Sequence, residues 1–360
     1  MPATTGRSRK AIPIHLALQG GGSHGALAWG VLDRLLEEKR LRIAEISGTS
    51  AGAMNAVVLA DGFARGGPEG AREALARFWK AVSDAARFSP VRRAPWDRIT
   101  GNYSLDGSPG YLLMEGLSRM FSPYELNPLN INPLRDLVRD RVDFDAVNMC
   151  RSIKIHVTAT NVRTGQARTF STGEISCDAV MASACLPQMY RAVEIGGEAY
   201  WDGGFSANPA LYPLVTSAEG SDVLIVQLNP LRRDEVPRTA RDIINRVNEI
   251  SFNTSLIKEL RALDILRQMM EQGLAEAPPG KKLFLHMIHG EEDVQELAAS
   301  SKLNAEWRYL ERLFERGRRW ADDWLDKHRD DVGARSSFSI EELFRPTPLP
   351  AGMGPIEEEG

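Results

Sequence analysis

Residues 48–52 read Gly48-Thr49-Ser50-Ala51-Gly52. This G-x-S-x-G spacing turns a chain sharply from strand to helix and leaves a serine hydroxyl projecting from the bend. Upstream stands Gly20-Gly21-Gly22-Ser23-His24-Gly25. It follows an apolar segment and opens a helix, so its free backbone N–H groups can hold a negative oxygen. The serine needs a base, and Asp202-Gly203-Gly204 offers a carboxylate. It ends a strand pattern, and the two glycines let the backbone pass close to another loop. A nucleophile, a base and an anion cradle are the parts that acyl transfer uses.

Each signature also has a plainer reading. Gly20, Gly22 and Gly25 satisfy the dinucleotide fingerprint G-x-G-x-x-G, which requires an acidic residue at the tip of the second strand. That strand ends in Ile46-Ser47-Gly48, with Glu45 inside it rather than at its tip. Asp-Gly is a common hairpin turn. The six histidines (His15, His24, His156, His286, His289 and His328) stand in no spacing that marks a triad base. Ser50 follows only two strand candidates, whereas an α/β-hydrolase elbow follows several, which argues against that fold.

The elements that must position these groups follow from periodicity. A strand over 13–19, a helix over 25–39, a strand over 42–46 and a helix from Ala51 predict a parallel α/β sheet. Residues 65–86 read as helix, 89–128 as irregular, and 133–142 as helix with Pro133 in its first turn. Hairpins turn at Thr164-Gly165 and Gly196-Gly197, the second leading to Asp202. A small-residue helix covers 178–185, and 223–228 reads as a final apolar strand. Beyond Arg232 come long charged helices, interrupted by a strand-like stretch over 282–288. Trp307, Leu310, Phe314, Gly317, Ala321 and Trp324 form one packed face over 303–328. The apolar patch of Tyr111, Leu112, Leu113, Met114, Leu117, Met120 and Phe121 reads first as core. Its second reading is a lid or lipid-surface anchor.

Composition bounds the partners. The 360 residues are 43% hydrophobic and 26% charged, with a formal net charge of −4, a balance that disfavours nucleic acid. Three cysteines (Cys150, Cys177, Cys185) lack metal or redox spacing and suit a reducing compartment. No apolar run has signal-peptide or membrane-spanning length. The expectation is a cytoplasmic protein with peripheral membrane contact left open. Residues 1–11 and the acidic 346–360 are expected to be disordered tails.

Together, in this order, the three motifs resemble the patatin-like phospholipase family over roughly residues 12–230. Ala182-Ser183-Ala184-Cys185-Leu186-Pro187 resembles that family's helix-to-proline segment. The resemblance implies a three-layer α/β/α sandwich with a mainly parallel sheet over 12–230, followed by a mainly helical extension over 231–345. It implies a Ser50–Asp202 dyad with Gly203 and Gly204 as the aspartate loop, and Gly48, Thr49, Ala51 and Gly52 framing the nucleophile. Gly20, Gly21, Gly22, Ser23, His24 and Gly25 would form the oxyanion loop, its donors being the N–H groups around Gly21, Gly22 and Ser23. The implied substrate is an acyl lipid, with no metal or cofactor. The family carries Arg or Lys where this chain has His24, and a histidine is cationic only when protonated. Thioesterase and polyester depolymerase chemistry would use the same dyad. A nucleotide- or lipid-binding regulator would use none of it. The extension could pack on the sandwich, bind a partner or form a homo-oligomer.

Overall fold

The computed structural model describes residues 11–233, 236–273, 282–290, 293–294, 297–340 and 343. Of the tails expected over 1–11 and 346–360, residues 1–10 and 346–360 lie outside the described residues. Strand β1 (Ile12–Leu18) leads through the glycine loop into helix α1 (Gly25–Glu37), then β2 (Leu41–Gly48) and α2 (Ala51–Ala85). Helix α2 is interrupted by non-helical dihedrals at Gly66 and Gly67, which is why its two halves read separately in sequence. Short helices α3 (Pro95–Thr100), α4 (Pro109–Met120), α5 (Pro123–Leu126), α6 (Pro133–Arg141) and α7 (Phe144–Met149) follow. Next come β3 (Lys154–Asn161), β4 (Ala167–Ser171), α8 (Cys177–Ser183), β5 (Val193–Ile195) and β6 (Glu198–Asp202). The chain continues with α9 (Tyr212–Val215), β7 (Asp222–Val226), α10 (Ala240–Glu271), β8 (Phe284–Ile288) and α11 (Trp307–His328).

One sheet runs in the order β5-β6-β3-β2-β1-β7-β8, with β4 paired to β3 outside that path. The β2–β3, β1–β2, β1–β7 and β7–β8 pairs are parallel, and the hairpins β3–β4 and β5–β6 are antiparallel. Successive strand residues point to opposite faces, and the core divides accordingly. Leu224 and Val226 join α1, α2, α8 and α11 on one face. Val223, Ile225, Leu285 and Met287 join Leu211, Leu214, Leu256 and Leu260 on the other. Helices thus cover both faces of the sheet, the α/β/α sandwich.

Three expectations need correction. The strand at 223–228 is not the last, because β8 adds to the sheet edge beside β7. Residues 89–128, read as irregular, contain α3, α4 and α5. Each begins with proline, and Ser108 and Ser122 cap two of them. The Pro- and Ser-rich composition therefore marks helix starts rather than loop. The apolar patch is also not core, since no residue of α4 is buried. Of the placements open to the C-terminal helices, packing on the sandwich is observed: Gly30 of α1 and Gly317 of α11 each abut the other helix's backbone.

Candidate active site

The first and second parallel strands end side by side, so the loops that follow them meet at the carboxyl edge of the sheet. There Ser50 occupies the left-handed region (φ 55°, ψ −120°), one of two non-glycine residues with positive φ among those described. A serine held in this conformation stores strain that the surrounding contacts must sustain. The Ser50 N–H donates to Ser183 Oγ at 2.9 Å, and Ser183 in turn donates to the Thr158 carbonyl at 2.6 Å. Thr49 Oγ1 donates to the Ala207 carbonyl at 2.8 Å, fixing the other side of the turn. Helix α2 starts directly at Ala51, which packs where a side chain on Gly25 would stand.

Asp202 arrives from the antiparallel edge. It ends β6 opposite Ala159 of β3, and its N–H donates to the Cys185 carbonyl at 2.8 Å. The side chain is 1% exposed, and Oδ1 accepts the Gly204 N–H at 2.7 Å. Gly203 passes against the Thr158 carbonyl and Gly204 against Phe252, leaving no room for a Cβ at either. Burial pushes the Asp202 carboxyl up to about 7. Hydrogen bonds from Gly204 and the Ser50 side chain, and the charge of Lys302, pull in the opposite direction. Ser50 and Asp202, far apart in sequence, are thus brought together.

The glycine loop divides its donors. Gly20 N–H donates to Asn208 Oδ1 at 2.7 Å, His24 N–H to the Gly21 carbonyl at 3.1 Å, and Gly25 N–H to the Gly22 and Ser23 carbonyls. The N–H groups of Gly21, Gly22 and Ser23 find no protein acceptor among the described residues. Gly22 sits at φ 58°. A side chain there would be strained and would also strike the Lys302 carbonyl. His24 is buried, and its Nε2 lies 2.9 Å from Ser301 Oγ. That hydroxyl already donates to the Ala298 carbonyl and accepts from Tyr309, so His24 Nε2 is the donor. Burial, aided by Lys302, holds the imidazole well below its usual range. His24 is therefore neutral and structurally engaged.

Sequence reasoning missed several supports. Gln19, which ends β1's apolar run, accepts from the N–H groups of Leu228 and Asn229. Asn208 ties Gly20, Asn229 Nδ2 donates to the Gly20 carbonyl at 3.0 Å, and Lys302 Nζ donates to Asn229 Oδ1 at 2.7 Å. No spacing marks these residues, because each meets the loop through tertiary structure alone. Glu45, the only acid near the second strand's end, is taken up by Lys154, His156 and Ser217. No group of three His, Cys, Asp or Glu that could hold a metal occurs among the described residues. No helix among them is long and apolar enough to cross a membrane.

A family model described as "Patatin-like phospholipase" matches residues 16–215, a span that contains the glycine loop, Ser50 and Asp202. The chain belongs to the patatin-like phospholipase family. This is a family of lipid acyl hydrolases. No curated protein sequence matches the chain. Among solved structures it is similar to VipD from Legionella pneumophila at 13% identity and a TM-score of 0.36, with 85% of this chain and 67% of that one covered. It is also similar to full-length ExoU in complex with SpcU, from the type III secretion system of Pseudomonas aeruginosa. There identity is 16% and the TM-score 0.31, over 87% of this chain and 53% of ExoU. This patatin-like chain thus spans about half the length of ExoU.

Proposed function

We propose that this patatin-like chain is a serine acyl hydrolase that cleaves carboxylic esters of phospholipids or related acyl lipids, with Ser50 as nucleophile and Asp202 as its base. The observation that carries this reading is the meeting of a strained, left-handed Ser50 with a buried carboxyl whose ionised form its hydroxyl favours. As Ser50 Oγ bonds to the ester carbonyl carbon, its proton passes to Asp202. The carbonyl oxygen becomes an oxyanion facing the N–H groups of Gly21, Gly22 and Ser23, each such donor being worth about 3 kcal/mol. The tetrahedral intermediate collapses, the alcohol leaves with the proton from Asp202, and an acyl-serine remains. Water then attacks the acyl carbon, giving its proton to Asp202, and Ser50 departs protonated as the fatty acid is released. An acid titrating near neutrality suits a group that must both take and return a proton.

Lipid as the substrate is supported by the segment flanking the dyad. Leu112, Leu113, Met120, Phe121, Leu129 and Ile131 are all exposed, more apolar surface than one short segment ordinarily shows to water. Tyr124, Asn130 and Asn132 of this stretch line a cleft of about 290 Å³ together with Met181, Cys185 and Tyr190. One wall of this cleft, Cys185, accepts the Asp202 N–H through its carbonyl. The test is fatty-acid release from phosphatidylcholine vesicles and from a soluble short-chain ester. Release by wild type and its loss in Ser50→Ala supports the reading. Equal release by Ser50→Ala, or turnover of a soluble thioester alone, contradicts it.

A further inference from the structure

The site holds a cation that lies outside the family-matched segment. The 3-10 helix Ala299–Leu303 packs on the glycine loop: Ser301 receives His24 Nε2–H, and the Lys302 backbone carbonyl closes over Gly22. Lys302 then extends its partly buried side chain to Asn229 Oδ1, at 2.7 Å. Asn229 in turn donates its amide to the Gly20 carbonyl, the residue packed directly on Ser50. Among the described residues no carboxylate lies within ion-pair distance of the Lys302 ammonium. Glu249, one of two acids whose charge reaches it, Asp202 being the other, is bound by Arg233 at 2.6 Å and Arg246 at 3.2 Å.

We propose that Lys302 is a positioning residue of this active site: it braces the glycine loop through Asn229, and its charge favours the carboxylate form of Asp202 that receives the Ser50 proton. The proposal rests on the dyad reading given above. Its electrostatic half follows from which groups act on which. The contacts that run from Lys302 through Asn229 and Gly20 to Ser50 put the ammonium at the site. Its charge acts on Asp202 after burial, the Gly204 N–H and the Ser50 hydroxyl, and the Cys185 thiol feels the same carboxylate. Burial draws the Lys302 ammonium below the ordinary lysine range, the charges of Glu249, Arg233 and Asp202 act on it in turn, and its own charge acts on His24. Of the groups acting on Asp202, Lys302 is the cation. A neighbouring positive charge favours ionisation of an acid that burial disfavours, so its removal must move the ionisation of Asp202 to higher pH. His24, neutral and turned to Ser301, supplies no such charge.

The experiment is the rate of fluorophosphonate labelling at Ser50 as a function of pH, on full-length wild type, Lys302→Gln, Lys302→Met and Lys302→Arg, with thermal melts of each. Glutamine keeps a donor for Asn229 and removes the charge, whereas methionine removes both. The expected result is an acidic limb displaced to higher pH in the Gln and Met proteins. The Gln protein recovers most of its rate at alkaline pH, the Met protein stays slow, and the Arg protein keeps the wild-type midpoint. Folded Lys302→Gln with the wild-type midpoint overturns the proposal. If Lys302→Met does not fold, the Gln and Arg proteins decide. Failure of wild type itself to label at Ser50 removes the dyad reading, and this proposal with it. Normal wild-type labelling with unmoved variant midpoints removes this proposal alone.

Discussion

A Cβ on Gly20 would stand 2.7 Å from the Ser50 Cβ and 2.9 Å from the Thr49 carbonyl oxygen. The glycine loop and the serine turn are therefore in contact at the one atom that a side chain would need. Gly20→Ala must push the loop off the turn, displacing the free N–H groups from the serine hydroxyl. We expect about a hundredfold loss of ester hydrolysis, with a stability cost of about 1–3 kcal/mol from the overpacking. Steady-state kinetics beside a urea melt checks this, and full activity in the variant would show that the loop has no catalytic part.

Ser183 is the second support to test. It accepts the Ser50 N–H and so helps hold the left-handed conformation. Ser183→Ala leaves that N–H without its partner, at a cost of about 1–3 kcal/mol. The expected outcome is a lower melting temperature and roughly tenfold slower turnover with KM little changed, equivalent to about 1.4 kcal/mol in the barrier. A variant that loses only stability would confine Ser183 to the fold.

The pH dependence follows from Asp202. Its carboxyl is raised from the ordinary 3.8 to about 7 in the folded chain, so turnover should fall as pH drops through about 7 and the base becomes protonated. Stability runs the other way. Between these two values the folded state binds more protons than the unfolded state, so this group's contribution declines as pH rises through the window. Asp202→Asn should therefore be inactive yet melt higher than wild type at pH 8, while near pH 4 the two should converge. Equal melting temperatures at both pH values would show that Asp202 is not the strained acid described here.

The exposed stretch around α4 gives a prediction that separates lipid contact from chemistry. Leu113 is 64% and Met120 77% exposed, so replacing both with serine removes no buried packing. Leu113→Ser/Met120→Ser should keep the wild-type melt and soluble-ester turnover while losing several-fold in vesicle sedimentation and fatty-acid release. Unchanged vesicle binding would assign the patch no lipid contact.

Much of the sandwich was legible because its central units are local in sequence. The segment from Ile12 to Ala85 alternates strand and helix with the glycine turns between them, and both hairpins carry Gly at their tips (Gly165, Gly196 and Gly197) with positive φ. The meeting of Ser50 and Asp202 was legible for a related reason: Ser50 stands two residues after β2 ends at Gly48, and Asp202 ends β6 beside Gly203. Three things were not. Periodicity shows that α4 has an apolar face but not whether anything covers it. Strand β8 reads as a strand from its own residues, yet its place beside β7 is set by tertiary pairing across the α10 segment. Asn208, Asn229 and Lys302 reach the glycine loop from distant segments, and a single polar side chain carries no pattern that announces such a meeting.

The most direct test of the central claim is mass spectrometry of the intact protein and its peptides after treatment with a fluorophosphonate probe, on wild type, Ser50→Ala and Asp202→Asn. Ser50 acting as a nucleophile with Asp202 as its base predicts one adduct on Ser50 in wild type, none in Ser50→Ala and a much slower reaction in Asp202→Asn. Folded wild type that takes no adduct at Ser50, or an Asp202→Asn protein that labels at the wild-type rate, would contradict it.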